Sequence, residues 1–424
     1  MTLHRKMLLA IVGGAGAGLL ARTLFGGAPW LGWVVDNLAN PLGQIFLRLL
    51  FMLVVPLLFS ALVVGISDLD LKHIGRLGAK TLGYAFVFSL ISVLIGLALV
   101  NLLQPGAGLG ESVRELARSA PLVKAASAPV GGSAVQVLVN MFPDNPIKAA
   151  ATGDMLGLIV FSLIFGAGLA FTPTPGAARL KEVIVGLYDV SMRLIDGVLK
   201  LAPYGVAALL FSMTARLGMD VLGQLAAYVG VVLLGLALQM FVVYPAAIQL
   251  LARRSAVAFF RDIRLAMVTA FSTASSNATL PTALKVAEEN LRLPRHVSRF
   301  VLTAGSAMNQ NGTALFEGVT VLFLAQLYGI DLSLGDQALV MAICVMAGIG
   351  TAGIPAGSIP VIAMILNMFS IPVEGLGLIL GVDRFLDMCR TTLNVAGDLV
   401  AAAVVARSEP ELPDHPEAPA SAVG

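Results

Sequence analysis

Between Val221 and Leu251 the chain carries no charged side chain, and the same holds from Thr81 to Leu103. About 20 apolar residues suffice for a helix to cross the hydrocarbon of a bilayer. A helix at the surface of a soluble protein needs a polar face, and neither stretch can supply a charged one. Composition extends the point to the whole chain: 58% of its 424 residues are hydrophobic and 12% are charged. Soluble domains carry about 25% charged residues. The sequence therefore reads as an all-α polytopic membrane protein.

Other apolar spans are Met7–Leu24, Pro41–Ile66, Met155–Phe171 and Val190–Met213. His4, Arg5 and Lys6 precede the first, which reads as a transmembrane helix or a signal peptide. The lack of a convincing small-residue cleavage site favours the helix. Residues 104–154, rich in Gly, Ala, Pro and Ser, read as an extramembrane connection. The tail from Arg407, SEPELPDHPEAPASAVG, has no periodicity and reads as disordered. Lys and Arg gather at residues 4–6, 72–80, 179–181, 253–264, 292–299 and 407, and are missing from 26–40 and 328–337. The positive-inside rule then places both termini in the cytoplasm. The 104–154 connection carries basic residues although it falls outside, and long loops obey the rule poorly.

A net charge of +2 argues against a nucleic-acid partner bound through phosphate neutralisation. Cys344 and Cys389 both lie in apolar stretches and read as packed thiols. No HExxH pair is present, which argues against an intramembrane metalloprotease. With no Ser/His pair at membrane depth either, no enzyme activity and no bound cofactor are expected.

Two segments resist reading as spans. Arg253/Arg254 and Arg292/Arg295 belong on one side, yet the chain between them turns polar at Ser272–Asn277, and each arm is too short to cross comfortably. Ala338–Val373 is uncharged and interrupted by GIGTAGIPAGSIP, with both flanks free of Lys and Arg. Gly and Pro at that density open a helix. The matched flanks favour two re-entrant hairpins over two kinked spans. Non-helical backbone at that depth must face protein or a water-filled cavity. Broken segments entering from opposite sides are the mark of an inverted-repeat secondary transporter.

In the last span Asp383, Asp387, Arg390, Asn394 and Asp398 fall within about 80° of one helix face, with Thr391 adjoining. Ionisable groups at membrane depth usually line a ligand or ion path. The alternative is a structural ladder of ion pairs. Three carboxylates against one in-stripe arginine leave an excess of negative charge that a bound cation would balance better. Arg390 offers a planar fork for a carboxylate, and Asp387 one turn earlier can hold an ammonium. Helix-end amides around Ser275–Asn277 and Gly353–Gly357 could hold a second carboxylate.

Together SSNATLP (Ser275–Pro281), NQNGTALFEG (Asn309–Gly318), GIGTAGIPAGS (Gly348–Ser358) and LDMCRTTLNVAGD (Leu386–Asp398) form a specific set of motifs. The chain resembles the dicarboxylate/amino acid:cation symporter family, the glutamate transporters and their bacterial and archaeal homologues, from about residue 5 to 406. The resemblance implies eight transmembrane helices plus two re-entrant hairpins, arranged as inverted repeats in a homotrimer within the lipid bilayer. Helices one and two (1–80), with four and five (104–218, after the extracellular connection), would form the scaffold. A transport domain would take helix three (81–103) and residues 219–406, and would move as an elevator. Within it lie helix six, hairpin one (about 256–291), helix seven (about 297–327), hairpin two (about 336–372, the outer gate) and helix eight (about 374–406). Residues 407–424 would be a cytoplasmic tail.

The resemblance further implies that Arg390 pairs with a substrate side-chain carboxylate and Asp387 with its α-amine. Thr391, Asn394, Thr313, Ser275, Ser276 and the backbone of Ile354, Gly357 and Ser358 would complete the site. A first sodium site would use carbonyls of Gly305, Asn309 and Asn394 with the Asp398 carboxylate. A second would draw on Ala307, Gly348, Ile349 and Thr351.

The sequence departs from the family where NQNGT replaces the usual NMDGT. Gln310 stands in place of a methionine beside one sodium site. Asn311 replaces an aspartate that charges a further one, and alignment of helix three puts Phe88 and Ser89 at that site's side-chain ligands. Phe88 cannot ligate a cation and Asn311 is uncharged, so this site is expected to be lost. Ala274 and Met388 fill positions where relatives place an arginine, which weakens any inference of potassium counter-transport. Glu317, four residues after Thr313, is the one acid between Phe300 and Tyr328. A carboxyl group in apolar surroundings can carry a proton, and its position matches a glutamate of proton-coupled members. A neutral structural role is the alternative.

The expected function is secondary active, cation-coupled symport of acidic amino acids, glutamate or aspartate, with sodium ions, protons or both as coupling ions. A C4-dicarboxylate symporter is the alternative, and an anion or ion channel the reading from another class. Asp387 discriminates against the dicarboxylate, because an unpaired carboxylate would repel a dianion. A bacterial inner membrane is the expected location.

Overall fold

The computed structural model describes residues 3–26, 28–67, 75–108, 139, 142–152, 155–350 and 358–409. Among the described residues there are helices and connections but no strands. That is the outcome expected of an apolar chain in lipid, where a helix satisfies its own backbone polar groups. Helix α1 (Leu3–Phe25) opens the chain, followed by α2 (Pro29–Val34), α3 (Asn40–Met52), α4 (Val54–Ser67) and α5 (Gly75–Leu103). Next come α6 (Pro146–Thr152), α7 (Met155–Phe171), α8 (Pro175–Leu199) and α9 (Ala202–Leu217). The remaining elements are α10 (Asp220–Leu238), α11 (Tyr244–Leu250), α12 (Ala256–Thr273), α13 (Ser276–Lys285), α14 (Arg295–Met308), α15 (Asn311–Tyr328), α16 (Leu334–Gly350), α17 (Ser358–Met368) and α18 (Leu376–Arg407).

Prolines decide where apolar runs break. The run Pro41–Ile66 is not one helix, because α3 and α4 meet at Leu53. Pro56 has no N–H for the carbonyl of Met52, four residues earlier, and its ring crowds that carbonyl. The run Val190–Met213 is likewise divided at Lys200–Leu201, since Pro203 stands four residues after Leu199, where α8 ends. Val221–Leu251 does stay continuous, as α10, a π turn over Gln239–Val243, and α11. Pro245 cannot donate to Phe241, and the wider turn before it accommodates the ring.

Small residues bring α1 and α9 into contact. A Cβ on Gly14 would strike the backbone of Ala207, and one on Gly18 would strike Phe211 and Thr214. This small-xxx-small spacing lets two helix backbones approach closely, which drives helix association in lipid. The Thr214 hydroxyl donates to the Ala15 carbonyl at 3.1 Å. At one end Arg22 donates to the Arg216 carbonyl, and Arg216 pairs with Asp36.

Helix α18 lies at the centre. The most apolar window of its span is 78% buried, against 39% for the spans containing α5 and α10. It is packed by α12, α14, α15, α10 and α9. Helices α12 and α13 pack against each other across a tight turn in which Ala274 is left-handed (φ 49°) and Ser275 caps α13 by accepting from the Ala278 N–H. Helices α16 and α17 flank residues 351–357, which lie outside the described residues. So do the body of the 104–154 connection and residues 410–424 of the tail.

The expected helix 297–327 is two helices. Asn309 (ψ 66°) and Gln310 (ψ 52°) leave the helical region between α14 and α15. Side chains take up the backbone groups this break exposes, as they must at a buried helix end. The Gln310 side-chain amide donates to the Ser306 carbonyl at 2.9 Å, and the Gly312 N–H donates to Asn394 Oδ1 at 2.7 Å.

Candidate binding site

Helix α18 presents its charged face inward. Arg390 is 2% exposed and lies over the Phe316 ring, with its guanidinium carbon 4.0 Å from the ring centroid. Its Nη2 donates to Asp387 Oδ1 at 2.9 Å, and Nε reaches the same oxygen at 3.3 Å. Asp383 Oδ1 lies 3.1 Å from Nη2. Arg384 Nη1 stands 3.5 Å from the other oxygen of Asp387. The sequence reading left the Arg390 fork free and Asp387 open for an amine. In the structure both are engaged with each other, and Nη1 is the guanidinium nitrogen without a hydrogen-bond partner among the described residues. Asp383 and Arg384 are site residues that the reading assigned no role. The stripe contained Asp383, but Arg384 is off that face and reaches Asp387 through its long side chain.

One turn on, Asn394 ties α18 to the break between α14 and α15. Its Nδ2 donates to Gln310 Oε1 at 2.5 Å and to Thr313 Oγ1 at 3.2 Å. Thr313 therefore joins Asn394. Gln310, in the place of the family's methionine, spans Ser306 and Asn394. Gly312 packs on the Arg390 backbone, where a Cβ would come within 2.9 Å of Arg390 Cβ.

Asp398 is 4% exposed and accepts from Asn309 Nδ2 at 2.9 Å. A Cβ on Gly305 would lie 2.6 Å from Asp398 Oδ1, so only glycine lets α14 approach this carboxylate. Gly305, Asn309 and Asp398 are thus brought together. Asn394 is engaged through its side chain with the break, not with Asp398. Beside this carboxylate, Asn309 Oδ1 is buried without a hydrogen-bond partner among the described residues.

The Asn311 side chain is fully buried in a neutral network. Its Oδ1 accepts from Ser89 Oγ at 2.8 Å, its Nδ2 donates to Tyr244 Oη at 3.0 Å, and its carbonyl accepts from Ser92 Oγ at 2.9 Å. Phe88 stacks on Tyr84 at 4.2 Å and leans on Tyr244. The residues singled out together from the sequence, Phe88, Ser89 and Asn311, therefore meet at one place. Tyr244 and Ser92 were missed, because both sit in apolar runs that give them no local signal.

Glu317 is completely buried, and neither carboxyl oxygen has a hydrogen-bond partner among the described residues. Ser276, Ser358 and Thr391 are buried, and the Ser358 hydroxyl has no hydrogen-bond partner among the described residues. Gly348 faces Ala314 and the Gln310 carbonyl. Ile354, Gly357 and Thr351 lie outside the described residues, and the side chains of Ala307 and Ile349 are not described.

A buried guanidinium among buried carboxylates, on the central helix of an apolar all-helical chain, defines an integral membrane protein with a polar site at depth. The chain belongs to the sodium:dicarboxylate symporter family, a model of which matches residues 3–408. It is a membrane transport protein. It is 34% identical over 396 residues to the proton/sodium-glutamate symport protein of Bacillus caldotenax, covering 92% of each chain. The proton/glutamate-aspartate symporter of Escherichia coli (strain K12) is 34% identical over 385 residues, covering 89% of this chain and 86% of the relative. The C4-dicarboxylate transport protein of Rhodospirillum rubrum is 34% identical over 415 residues, covering 97% and 89%.

Proposed function

We propose that this chain is a secondary active transporter that couples inward movement of acidic amino acids, glutamate or aspartate, to a cation gradient. The observation that carries the reading is Arg390, a guanidinium 2% exposed with one buried nitrogen lacking a hydrogen-bond partner among the described residues, two turns from the group of Gly305, Asn309 and Asp398. Substrate anion and coupling cation would then sit on one rigid helix, and binding of each would favour the other. The relatives named for glutamate and aspartate symport support the substrate class.

The working cycle follows an elevator. Residues 1–80 and 104–218 form a scaffold, and 81–103 with 219–406 form a moving domain. The helix pairs α12/α13 and α16/α17 are its two re-entrant hairpins, and the second gates the site from outside. The assembly is a homotrimer in a bacterial inner membrane with both termini cytoplasmic. Sodium occupies the Asp398 site. The site that would include Phe88, Ser89 and Asn311 is lost, and a proton on Glu317 replaces its ion.

The C4-dicarboxylate reading has one observation of its own. Asp387 is shared between Arg390 and Arg384, which reduces its capacity to repel a dianion or to hold an amine. A named C4-dicarboxylate relative agrees with it. The deciding experiment is uptake of labelled aspartate, glutamate and succinate into proteoliposomes, with sodium and proton gradients imposed separately. Concentrative, saturable uptake of the amino acids supports the first reading. Uptake of succinate alone selects the second, and flux that neither saturates nor concentrates selects a channel.

A further inference from the structure

Arg390 is neutralised twice before any ligand arrives. Asp387, one turn before it, engages Nε and Nη2, and Asp383, two turns before it, reaches Nη2 at 3.1 Å. The two carboxylates are held unequally. Asp387 has a second cation in Arg384, whereas among the described residues Asp383 forms its ion pair with Arg390 alone. Beyond that contact, Asp383 Oδ1 has no hydrogen-bond partner among the described residues. Asp383 is therefore the carboxylate more readily displaced.

Geometry limits where a ligand can enter. The Phe316 ring covers one face of the guanidinium, so an incoming anion must approach an edge of its plane. A bidentate carboxylate takes two adjacent nitrogens. The Nε edge belongs to Asp387. The remaining edge pairs the unpartnered Nη1 with Nη2, and Asp383 stands on Nη2.

We propose that Asp383 is a specificity-determining residue that holds, on Arg390, the place of an acidic substrate's distal carboxylate. Binding is then an exchange: the substrate carboxylate takes Nη1 and Nη2 as Asp383 leaves Nη2. An uncharged analogue brings no anion to exchange and leaves the internal pair intact, so the pair excludes amides while lowering affinity for acids. The inference rests on the reading of Arg390 as the substrate anchor.

Calorimetric titration of the purified full-length protein with L-aspartate and with L-asparagine tests it, in wild type, Asp383→Asn, Asp383→Glu and Arg390→Ala. Relieving the competition for one charge-assisted hydrogen bond should tighten aspartate on the order of tenfold in Asp383→Asn. Asparagine binding should not tighten, and Asp383→Glu should keep the wild-type pattern. An unchanged or weakened aspartate affinity in Asp383→Asn, or a parallel gain for asparagine, overturns the exchange. Native aspartate binding by Arg390→Ala would instead overturn the anchor reading itself. Should Asp383→Asn not fold, infrared difference spectra of the wild type decide. Adding carboxyl-13C aspartate should shift a protein carboxylate band as Asp383 leaves the guanidinium. No protein carboxylate change on binding overturns the proposal.

Discussion

The Ser89 hydroxyl donates a 2.8 Å hydrogen bond to the Asn311 side-chain oxygen, joining α5 to the start of α15 across 222 residues of sequence. With the Asn311 amide on Tyr244 and the Asn311 backbone carbonyl accepting from Ser92, Asn311 is satisfied without any charge. Buried polar groups that are paired among themselves give a cation nothing to neutralise.

Fewer sodium ions should therefore move per substrate than in relatives that carry an aspartate at the Asn311 position. Each elementary charge moved across 100 mV supplies about 2.3 kcal/mol. Losing one ion without replacement would lower voltage-driven accumulation more than tenfold at that potential. Reversal potentials in proteoliposomes at varied sodium and pH measure the stoichiometry. Three sodium ions with no pH dependence would show that the neutral network had been misjudged.

Truncating Arg390 should abolish acidic-substrate binding. Removing one partner of a buried ion pair costs about 3–5 kcal/mol, at least a hundredfold in affinity if expressed in binding. Arg390→Lys keeps the charge but loses the fork, and should bind more weakly than wild type and better than Arg390→Ala. Equilibrium binding of labelled aspartate ranks the three. Equal affinity in all of them would place the substrate elsewhere.

The Asp398 carboxylate should set the sodium dependence of substrate binding. Coupling is reciprocal, so sodium should tighten substrate and substrate should tighten sodium by the same factor. Titrating aspartate affinity against sodium in wild type and Asp398→Asn should show the dependence flattened in the variant. An undiminished dependence would remove Asp398 from the coupling.

Glu317 is fully buried, and its carboxyl oxygens have no hydrogen-bond partner among the described residues. An inward proton gradient should stimulate uptake by the wild type. Glu317→Gln mimics the uncharged acid permanently, so it should lose that stimulation while still exchanging internal for external substrate. Stimulation surviving in the variant would leave Glu317 with a structural role only.

Gly397 packs beside both Tyr244 and Asn309. An added Cβ would collide with Tyr244 Oη and lie 3.1 Å from Asn309 Nδ2. Alanine suits a helix, but overpacking a tight core costs about 1–3 kcal/mol. Gly397→Ala should lower the thermal midpoint of the detergent-solubilised protein and weaken sodium-linked binding. A rise in the midpoint would show that the neighbours give way freely.

Local pattern determined what one helix can express. Uncharged runs specified helices and membrane, and the 100° repeat put Asp383, Asp387, Arg390, Asn394 and Asp398 on one face. The motifs also led to Phe88, Ser89 and Asn311 as one group, because two changes at distant positions made the same chemical sense. Tertiary structure decided the rest. Pro56 and Pro203 divided runs that composition alone made continuous, since one missing N–H is invisible to an apolar average. Whether Arg390 stood free or already paired depended on side-chain reach, which the repeat does not measure: Asp383 reaches it from two turns away, and Arg384 joins Asp387 from off the face. Tyr244 and Ser92 entered the site through the packing of α11 and α5 against α15 and α18. Contacts between residues far apart in the chain are set by how whole helices pack, and no local repeat records that.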